Sequence, residues 1–294
     1  MLNAKSTAQK RLERGNLNRA SWRRTKRKNP VSIIVGIICQ DGIVLACDSQ
    51  TTAGSAKRTD SDKISHLTFG GKDIIVAEAG DSTLSARAVE LLQKQFSLLT
   101  FDDWRKPADA AQDAVKILKQ ELIEVNNWKE CQDFAQEYHR ENPFSLMLAY
   151  FHNKAPYLYV LNSVPGFATR EWLFATIGCG GTVAEFILSK ADVKSMTRME
   201  ALIAAIYTVE EVKRVDTYCG GPTKAAVLSE DKVMFSETES KPIIKAAIET
   251  MEGYDQELRA KWYSLLREII DRTKEKYKQL ATPPTPKPSS PPRQ

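Results

Sequence analysis

Histidine is scarce in this chain: only His66, His139 and His152 occur among 294 residues. The chain therefore offers few candidate residues for a catalytic centre that uses histidine as its base. The sequence also has no G-x-S-x-G elbow, no H-E-x-x-H pair, no P-loop and no dinucleotide-binding glycine motif. These absences argue against the enzyme classes that depend on those motifs.

Paired cysteines and long hydrophobic runs are also missing. The five cysteines are an odd number, are widely spread and include no C-x-x-C pair. This pattern argues against a disulfide scaffold and a structural zinc site, and it favours a reducing compartment. No run approaches the roughly 20 apolar residues of a spanning helix, and the first thirty residues contain no hydrophobic segment typical of a secretory signal. We therefore predict a cytoplasmic protein with no membrane association, no metal and no cofactor.

Positive charge is concentrated at the start of the chain. Residues 1–30 hold ten of the 42 Lys and Arg residues but only one of the 37 Asp and Glu residues, a net charge of +9. The remaining residues therefore carry a net charge of −4. Because residues 1–31 also lack apolar periodicity, we predict a flexible basic arm or propeptide. If the protein binds nucleic acid, the charge distribution restricts that binding to this arm. We keep this as a rival hypothesis and do not favour it.

The hydrophobic patterning predicts groups of strands separated by pairs of helices. Residues 126–142 are predicted to be a polar and aromatic insertion, and residues 281–294 a disordered tail that holds six of the 13 prolines. Because the order is not a simple βαβα alternation, we predict an α+β fold with antiparallel sheets stacked between helical layers. The predicted strands are 32–39, 43–47, 62–68, 73–79, 144–151, 157–162, 172–178, 224–228 and 232–236, and the predicted helices are 82–99, 107–125, 182–190, 199–215 and 243–280.

Without a suitable histidine, a hydroxyl nucleophile needs another base. The free α-amino group of a chain terminus has a reference pKa of about 7.7–8.0, so it accepts a proton near neutral pH. A hydroxyl on that same first residue can be activated by its own nitrogen.

Four sequence blocks resemble the β-type subunits of the proteasome, which are N-terminal-nucleophile hydrolases. The first covers residues 32–54, where a hydrophobic strand, a glycine turn and a second strand lead into Asp-Ser-Gln-Thr-Thr-Ala-Gly. The others are Asp62-Lys63-Ile64, Ile177-Gly178-Cys179-Gly180-Gly181 and Asp216-Thr217-Tyr218-Cys219-Gly220-Gly221. All four occur in the family's order across about 200 residues.

The resemblance implies a four-layer αββα sandwich. It predicts a proteasome-like domain at 32–242, preceded by the arm at 1–31 and followed by a helical extension at 243–280 and the tail at 281–294. It also implies a homo-oligomeric ring, a peptide or unfolded-protein substrate, and a regulatory or unfoldase partner.

The resemblance assigns roles to ten residues. Ser32 takes the position of the threonine nucleophile, and Asp48 and Lys63 match the acid–lysine pair beside it. Asp216 and Cys219 match the residues that orient the terminal amine, while Cys179 matches the serine of the helix-opening turn. Gly80 matches the glycine whose N–H is the oxyanion donor. Thr52 and Ser82 match positions whose backbones clamp an extended peptide, and Glu78 matches a position that lines the first specificity pocket. An acid at Glu78 predicts a preference for basic side chains before the scissile bond.

Hairpin geometry independently predicts that two of these side chains are neighbours. In a hairpin centred on Asp41, Ser32 would lie opposite about residue 50, and Ser32 and Asp48 would share one face of the sheet. Thr51 and Thr52 are expected in the loop that follows.

The sequence departs from the family pattern at three points. The nucleophile position holds Ser rather than Thr, Val31 precedes it where active relatives usually have Gly, and Cys179 and Cys219 replace serines. Three alternatives therefore stay open beside a Ser32-dependent endopeptidase: a non-catalytic proteasome-like subunit, an amidase of the same fold acting on a small amide, and the arm-dependent nucleic-acid binder.

Overall fold

The computed structural model describes residues 32–53, 56–125, 143–230, 233–234 and 237–281. The predicted arm at 1–31, the predicted insertion at 126–142 and residues 282–294 of the predicted tail lie outside these ranges. The strands, in chain order, are β1 Ile34–Cys39, β2 Gly42–Cys47, β3 Thr51–Ala53, β4 Ala56–Arg58, β5 Ile64–Phe69, β6 Lys72–Gly80, β7 Phe144–His152, β8 Ala155–Asn162, β9 Ala168–Glu171, β10 Phe174–Ile177, β11 Lys224–Leu228 and β12 Val233–Met234. The helices are α1 Ser82–Leu98, α2 Lys106–Val125, α3 Gly181–Leu188, α4 Arg198–Val215 and α5 Glu237–Ala281.

Two five-stranded antiparallel sheets form the centre of the molecule. The first has the strand order β10-β1-β2-β11-β12, and the second has the order β5-β6-β7-β8-β9. Between them lies a core of interdigitating apolar side chains, including Leu45 from the first sheet and Met147 from the second. Gly36 permits this close approach, since a Cβ there would lie 2.5 Å from the Met147 sulfur.

Helices cover the outer face of each sheet. Alanines of α2 and leucines of α1 pack with the outward side chains of β6, β7 and β8. On the other side, α4 lies against β1 and β2 and buries Leu202, Ile206 and Val209. The predicted four-layer αββα sandwich is therefore confirmed.

The helix starts follow ordinary capping rules. The Asp81 carboxylate accepts hydrogen bonds from the backbone N–H groups of Thr83 and Leu84, at 3.0 and 3.2 Å, and so begins α1. Thr197 and Glu200 form a reciprocal capping box at the start of α4. Pro107 lies in the first turn of α2, where its missing N–H has no consequence.

Several predicted boundaries are wrong. The strand predicted at 172–178 corresponds to β10 alone, and β9, which lies just before it in the chain and belongs to the other sheet, was not predicted. Thr51 and Thr52 are not loop residues but part of β3, which pairs with β4 in a separate two-stranded ribbon. Of the strand predicted at 232–236, the structure describes only Val233–Met234.

The described chain ends in one long helix. The first compact unit extends to Lys245 and includes the start of α5, where Ile244 is buried. The second unit begins at Ala246 and carries exposed isoleucines at positions 269 and 270. Within the described residues, no helix is both long enough and apolar enough to cross a membrane.

Candidate active site

A buried lysine lies at the centre of the site. The Lys63 ammonium donates to Ser32 Oγ at 2.8 Å, to Asp48 Oδ1 at 2.7 Å and to the Gln50 carbonyl at 2.6 Å. Only 3% of Lys63 is exposed, and Asp48 is completely buried. All three ammonium protons are thus engaged, and one of them points at the candidate nucleophile.

Asp48 is held by the backbone as well as by Lys63. Its Oδ1 also accepts from Ile33 N–H at 3.0 Å, and its Oδ2 accepts from Gly220 N–H at 3.0 Å and Gln50 N–H at 3.3 Å. A buried carboxylate with this many donors is compensated in charge and hydrogen bonding. Asp48 can therefore keep Lys63 in place without moving itself.

The predicted facing of Ser32 and Asp48 is wrong by one residue. The observed register pairs Ile34 with Cys47, and Asp48 N–H donates to the Ile33 carbonyl at 3.2 Å. Ile33 therefore lies opposite Asp48, and Ser32 lies before the regular strand. The two side chains still meet because Lys63 bridges them.

The turn between β10 and α3 closes around the backbone of Ser32. Gly180 N–H donates to the Ser32 carbonyl at 3.3 Å, and Ser32 N–H donates to Cys179 Sγ at 3.5 Å. Gly178 has φ of +97°, and a Cβ there would lie 2.1 Å from the Ser32 carbonyl oxygen. Only glycine fits this approach, so the turn fixes the position of Ser32.

Cys179, Cys219 and Asp216 form a compact cluster beside the Ser32 nitrogen. Their two sulfurs are 3.7 Å apart, and a ligand atom from each residue lies within 4.8 Å of the other two. A hydrogen bond from Cys219 lowers the pKa of the Cys179 thiol. That same interaction, together with burial, raises the pKa of Cys219. Cys179 is therefore the more acidic thiol of the pair.

A cavity of about 330 Å³ opens beside Ser32. Arg58 and Asp60 in its wall form an ion pair at 2.7 Å, and Lys224 pairs with Asp62. Most of the residues that line the cavity are polar or charged. The full lining is Ser32, Thr51, Arg58, Asp60, Ser61, Asp62, Lys63, Glu78, Gly80, Ser82 and Ser85.

Glu78 is the cavity carboxylate with the most perturbed acidity. Burial raises its pKa to about 7, and a hydrogen bond with Ser85 and the positive charge of Lys63 oppose that rise. Among the described residues, none forms an ion pair with Glu78. Its carboxylate can therefore form an ion pair with a positively charged group of a bound ligand.

The chain matches the proteasome family along about two thirds of its length. A family model described as "Proteasome subunit" matches residues 31–228. The chain belongs to the proteasome subunit family. The curated proteasome subunit beta of Methanocella paludicola is 26% identical over 207 residues, which cover 70% of this chain and 91% of that protein.

Solved structures of Anbu proteins share the proteasome fold seen here. Anbu from Yersinia bercovieri, described as an ancestral beta-subunit, has a TM-score of 0.60 at 16% identity over 79% of this chain and 96% of its own. The Pseudomonas aeruginosa protein, described as a helical assembly of the Anbu complex, has a TM-score of 0.57 at 19% identity over 86% and 98% of the two chains. At these identities the likeness supports the fold alone.

In this proteasome-family chain, nearly all predicted site residues come together. Ser32, Lys63, Glu78, Gly80 and Ser82 line one cavity. Asp48 lies behind Lys63, and the cluster of Cys179, Cys219 and Asp216 lies on the nitrogen side of Ser32. Thr52 does not line the cavity, while its neighbour Thr51 does.

Sequence reasoning missed the residues that hold Asp48 and Lys63. Gln50 contributes its N–H to Asp48 and its carbonyl to Lys63, and Gly220 contributes an N–H from a distant turn. The Gln50 contact follows the familiar pattern of an aspartate bonding two residues ahead, so it could have been expected. The Gly220 contact joins residues 172 positions apart and has no comparable local signal.

Proposed function

We propose that this proteasome-family protein is an endopeptidase in which Ser32 becomes the N-terminal nucleophile after residues 1–31 are removed. The observation that carries the proposal is the bridge from Lys63 to both Ser32 Oγ and Asp48 Oδ1 in a buried pocket. A cation at hydrogen-bond distance favours the deprotonated form of a hydroxyl. The Lys63 ammonium is thus suited to stabilise an alkoxide at Ser32.

Removal of the arm uses the same hydroxyl. Ser32 Oγ attacks the Val31 carbonyl carbon, the carbon–nitrogen bond breaks, and the departing Ser32 nitrogen takes the proton. Water then hydrolyses the resulting ester, leaving a carboxylate on Val31 and a free hydroxyl and amine on Ser32.

Substrate hydrolysis then proceeds through an acyl-enzyme. The Ser32 amine accepts the Oγ proton as the oxygen attacks the peptide carbonyl, and it returns that proton to the leaving nitrogen. Gly80 lies at the end of β6 in the cavity wall, where its N–H can serve as an oxyanion donor. Water releases the acyl group and restores the hydroxyl.

The surroundings of the cavity favour a peptide over a small amide. β3 pairs with β4 on one side, and in the described part of the chain no strand pairs with its other edge. Thr51 of β3 and Ser82 at the start of α1 both line the cavity. An extended peptide could add to the β3 edge as a further strand.

Assembly into a homo-oligomer is part of this proposal. The Pseudomonas aeruginosa relative in fold is described as a helical assembly. Enclosed or repeating assemblies restrict access to their active sites, so a flexible peptide or unfolded chain is the substrate class that suits such a particle.

Intact-mass spectrometry tests the proposed nucleophile directly. Purified wild-type protein is expected to have the mass of residues 32–294, because Ser32 removes its own leader. Ser32→Ala is expected to keep the full mass, since no hydroxyl can attack Val31. Ser97→Ala, on the exposed face of α1, serves as the matched serine control and should be processed like wild type.

Two results would contradict the proposal. A wild-type chain that retains Met1 and hydrolyses no peptide would favour the non-catalytic subunit. Processing that persists in Ser32→Ala would assign the cleavage to another protease.

Glu78 is expected to set a preference for Arg before the scissile bond. A hydrogen bond to a charged group contributes about 1.5–3 kcal/mol, so Glu78→Gln should reduce the ratio of kcat/KM for Arg over Leu peptides by at least about tenfold. Paired fluorogenic peptides that differ only at that position measure the ratio. A clear Leu preference in wild type would contradict the assignment.

The same ratio should depend on pH in a defined direction. Because burial raises the pKa of Glu78 to about 7, its carboxylate is neutral below that pH and charged above it. The Arg-over-Leu ratio should therefore rise as the pH increases through 7, and the rise should vanish in Glu78→Gln. Using a ratio cancels the ionisation of the Ser32 amine, which affects both substrates equally.

A further inference from the structure

The cluster beside Ser32 contains the donor atoms of a soft metal site. Cys179 precedes α3, while Asp216 and Cys219 occupy the turn after α4. Two sulfurs and a carboxylate oxygen converge there from segments nearly forty residues apart. The spacing of the cysteines argues against a structural zinc site, but it does not reveal that the fold brings them together.

The distance between the two sulfurs matches an edge of a zinc-type tetrahedron. With zinc–sulfur bonds of about 2.3 Å, two sulfur ligands lie about 3.8 Å apart, and a sulfur and a nitrogen ligand lie about 3.5 Å apart. The observed separation of Cys179 Sγ and Cys219 Sγ is 3.7 Å, and Ser32 N lies 3.5 Å from Cys179 Sγ. The two sulfurs thus already have the spacing of zinc ligands, and the Asp216 carboxylate oxygen lies within 4.8 Å of both.

We propose that Cys179, Cys219 and Asp216 bind a thiophilic divalent cation of the zinc type, and that the Ser32 amine becomes its fourth ligand once it is the chain terminus. The first three ligands stand independently of catalysis, and only the fourth rests on the proposed function. Each thiol loses its proton to solvent as its sulfur binds the cation. A peptide nitrogen cannot serve as a ligand, so before processing only the three side chains hold the cation, and solvent water completes its coordination.

The consequence is reversible inhibition of the peptidase. A nitrogen lone pair committed to a metal cannot accept the Ser32 proton, so the cation removes the general base. Serines at positions 179 and 219, as the family pattern has them, would be poor ligands, because thiolate is the ligand that zinc prefers. Cys179 and Asp216 are partly exposed, which gives the cation a route to the buried Cys219.

Cobalt(II) titration of the purified wild-type protein, kept reduced with a phosphine, tests the site without reference to activity. We expect one equivalent to produce a thiolate-to-cobalt charge-transfer band and the intense visible absorption of tetrahedral cobalt, and zinc to displace it. The double variant Cys179→Ser with Cys219→Ser should lose the band. Cys39→Ser, at the far end of β1 where the sulfur contacts the Gly42 carbonyl, should keep it.

A missing band in wild type, or one that persists in the double variant, would overturn the proposed site. If the double variant fails to give the wild-type circular dichroism spectrum, Asp216→Asn provides the second test and should shift the visible absorption and weaken binding.

Zinc inhibition separates this proposal from the proposed function. Peptidase activity of the processed protein should fall on adding zinc and return with a chelator. Cobalt binding without any peptidase activity would uphold the three-residue site and refute the proposed function. Peptidase activity that zinc leaves unchanged, in a protein that shows no cobalt band, would refute the cation site and leave the proposed function intact.

Discussion

A Lys63→Met variant is expected to lose peptidase activity by roughly a hundredfold to ten-thousandfold, the range that one positioned proton-handling group contributes. It is also expected to lose about 3–5 kcal/mol of its free energy of unfolding, because a buried carboxylate is left without its cation. Lys63 donates to Ser32 Oγ and Asp48 Oδ1 at once, so both losses follow from one substitution. Peptide kinetics and urea unfolding measure them separately.

Ser32→Ala is the matched control, because it separates the two effects. That variant removes the hydroxyl but keeps the ion pair of Lys63 and Asp48, in which both side chains are buried. It should be at least as inactive as Lys63→Met, yet its stability should fall by only about 1 kcal/mol, the net contribution of one hydrogen bond. A Lys63→Met protein that unfolds like Ser32→Ala would show that the buried pair adds little stability. One that keeps activity within tenfold of wild type would remove Lys63 from the proposed mechanism.

The layered fold was predictable because its elements carry strong local signals. Gln40-Asp41-Gly42 between two apolar runs predicts the β1–β2 hairpin, and the register confirms it within one residue. The helical spacing of Leu84, Ala88 and Leu91 predicts α1, whose buried face includes Ala88 and Leu91. Two pairs of helices between groups of strands then leave few layer arrangements other than helices outside two sheets.

The errors occurred where tertiary contacts override local patterns. Residues 168–177 contain two short strands that leave one sheet and enter the other, and a change of sheet has no signature in hydrophobic periodicity. The β3–β4 ribbon is only three residues long on each side, so it falls below the length that alternation can reveal.

The candidate site shows the same division between local and distant information. The sequence blocks predict which residues gather around Ser32, since each block resembles a family motif. They do not predict that Gly220 supports Asp48 or that the two cysteine sulfurs lie 3.7 Å apart, because those contacts join segments 172 and 40 residues apart. Such distances depend on where α3 begins and where α4 ends relative to β1, which only the packed structure specifies.

A Gly178→Ala variant is expected to lose at least about a hundredfold in peptidase activity. Its Cβ would lie 2.1 Å from the Ser32 carbonyl oxygen and 2.7 Å from the carbonyl carbon, and both are backbone atoms that cannot rotate away. Ser32 must therefore move relative to Lys63, and a displacement of about 1 Å at a reacting group costs about a hundredfold in rate. Self-removal of residues 1–31 should slow for the same reason, which intact-mass measurements over time would record.

Gly71→Ala distinguishes this displacement from ordinary backbone strain. Gly71 also has a positive φ, +74° against +97° for Gly178, but no atom lies within 4 Å of the position its Cβ would take. In both variants an alanine with positive φ costs roughly 1–2 kcal/mol, so the free energy of unfolding should fall by at least that amount. Only Gly178→Ala adds the collision with Ser32, and only it should lose activity and processing. Equal activity in the two variants would mean that the β10–α3 turn can yield without moving Ser32, and would remove that turn from the positioning of the nucleophile.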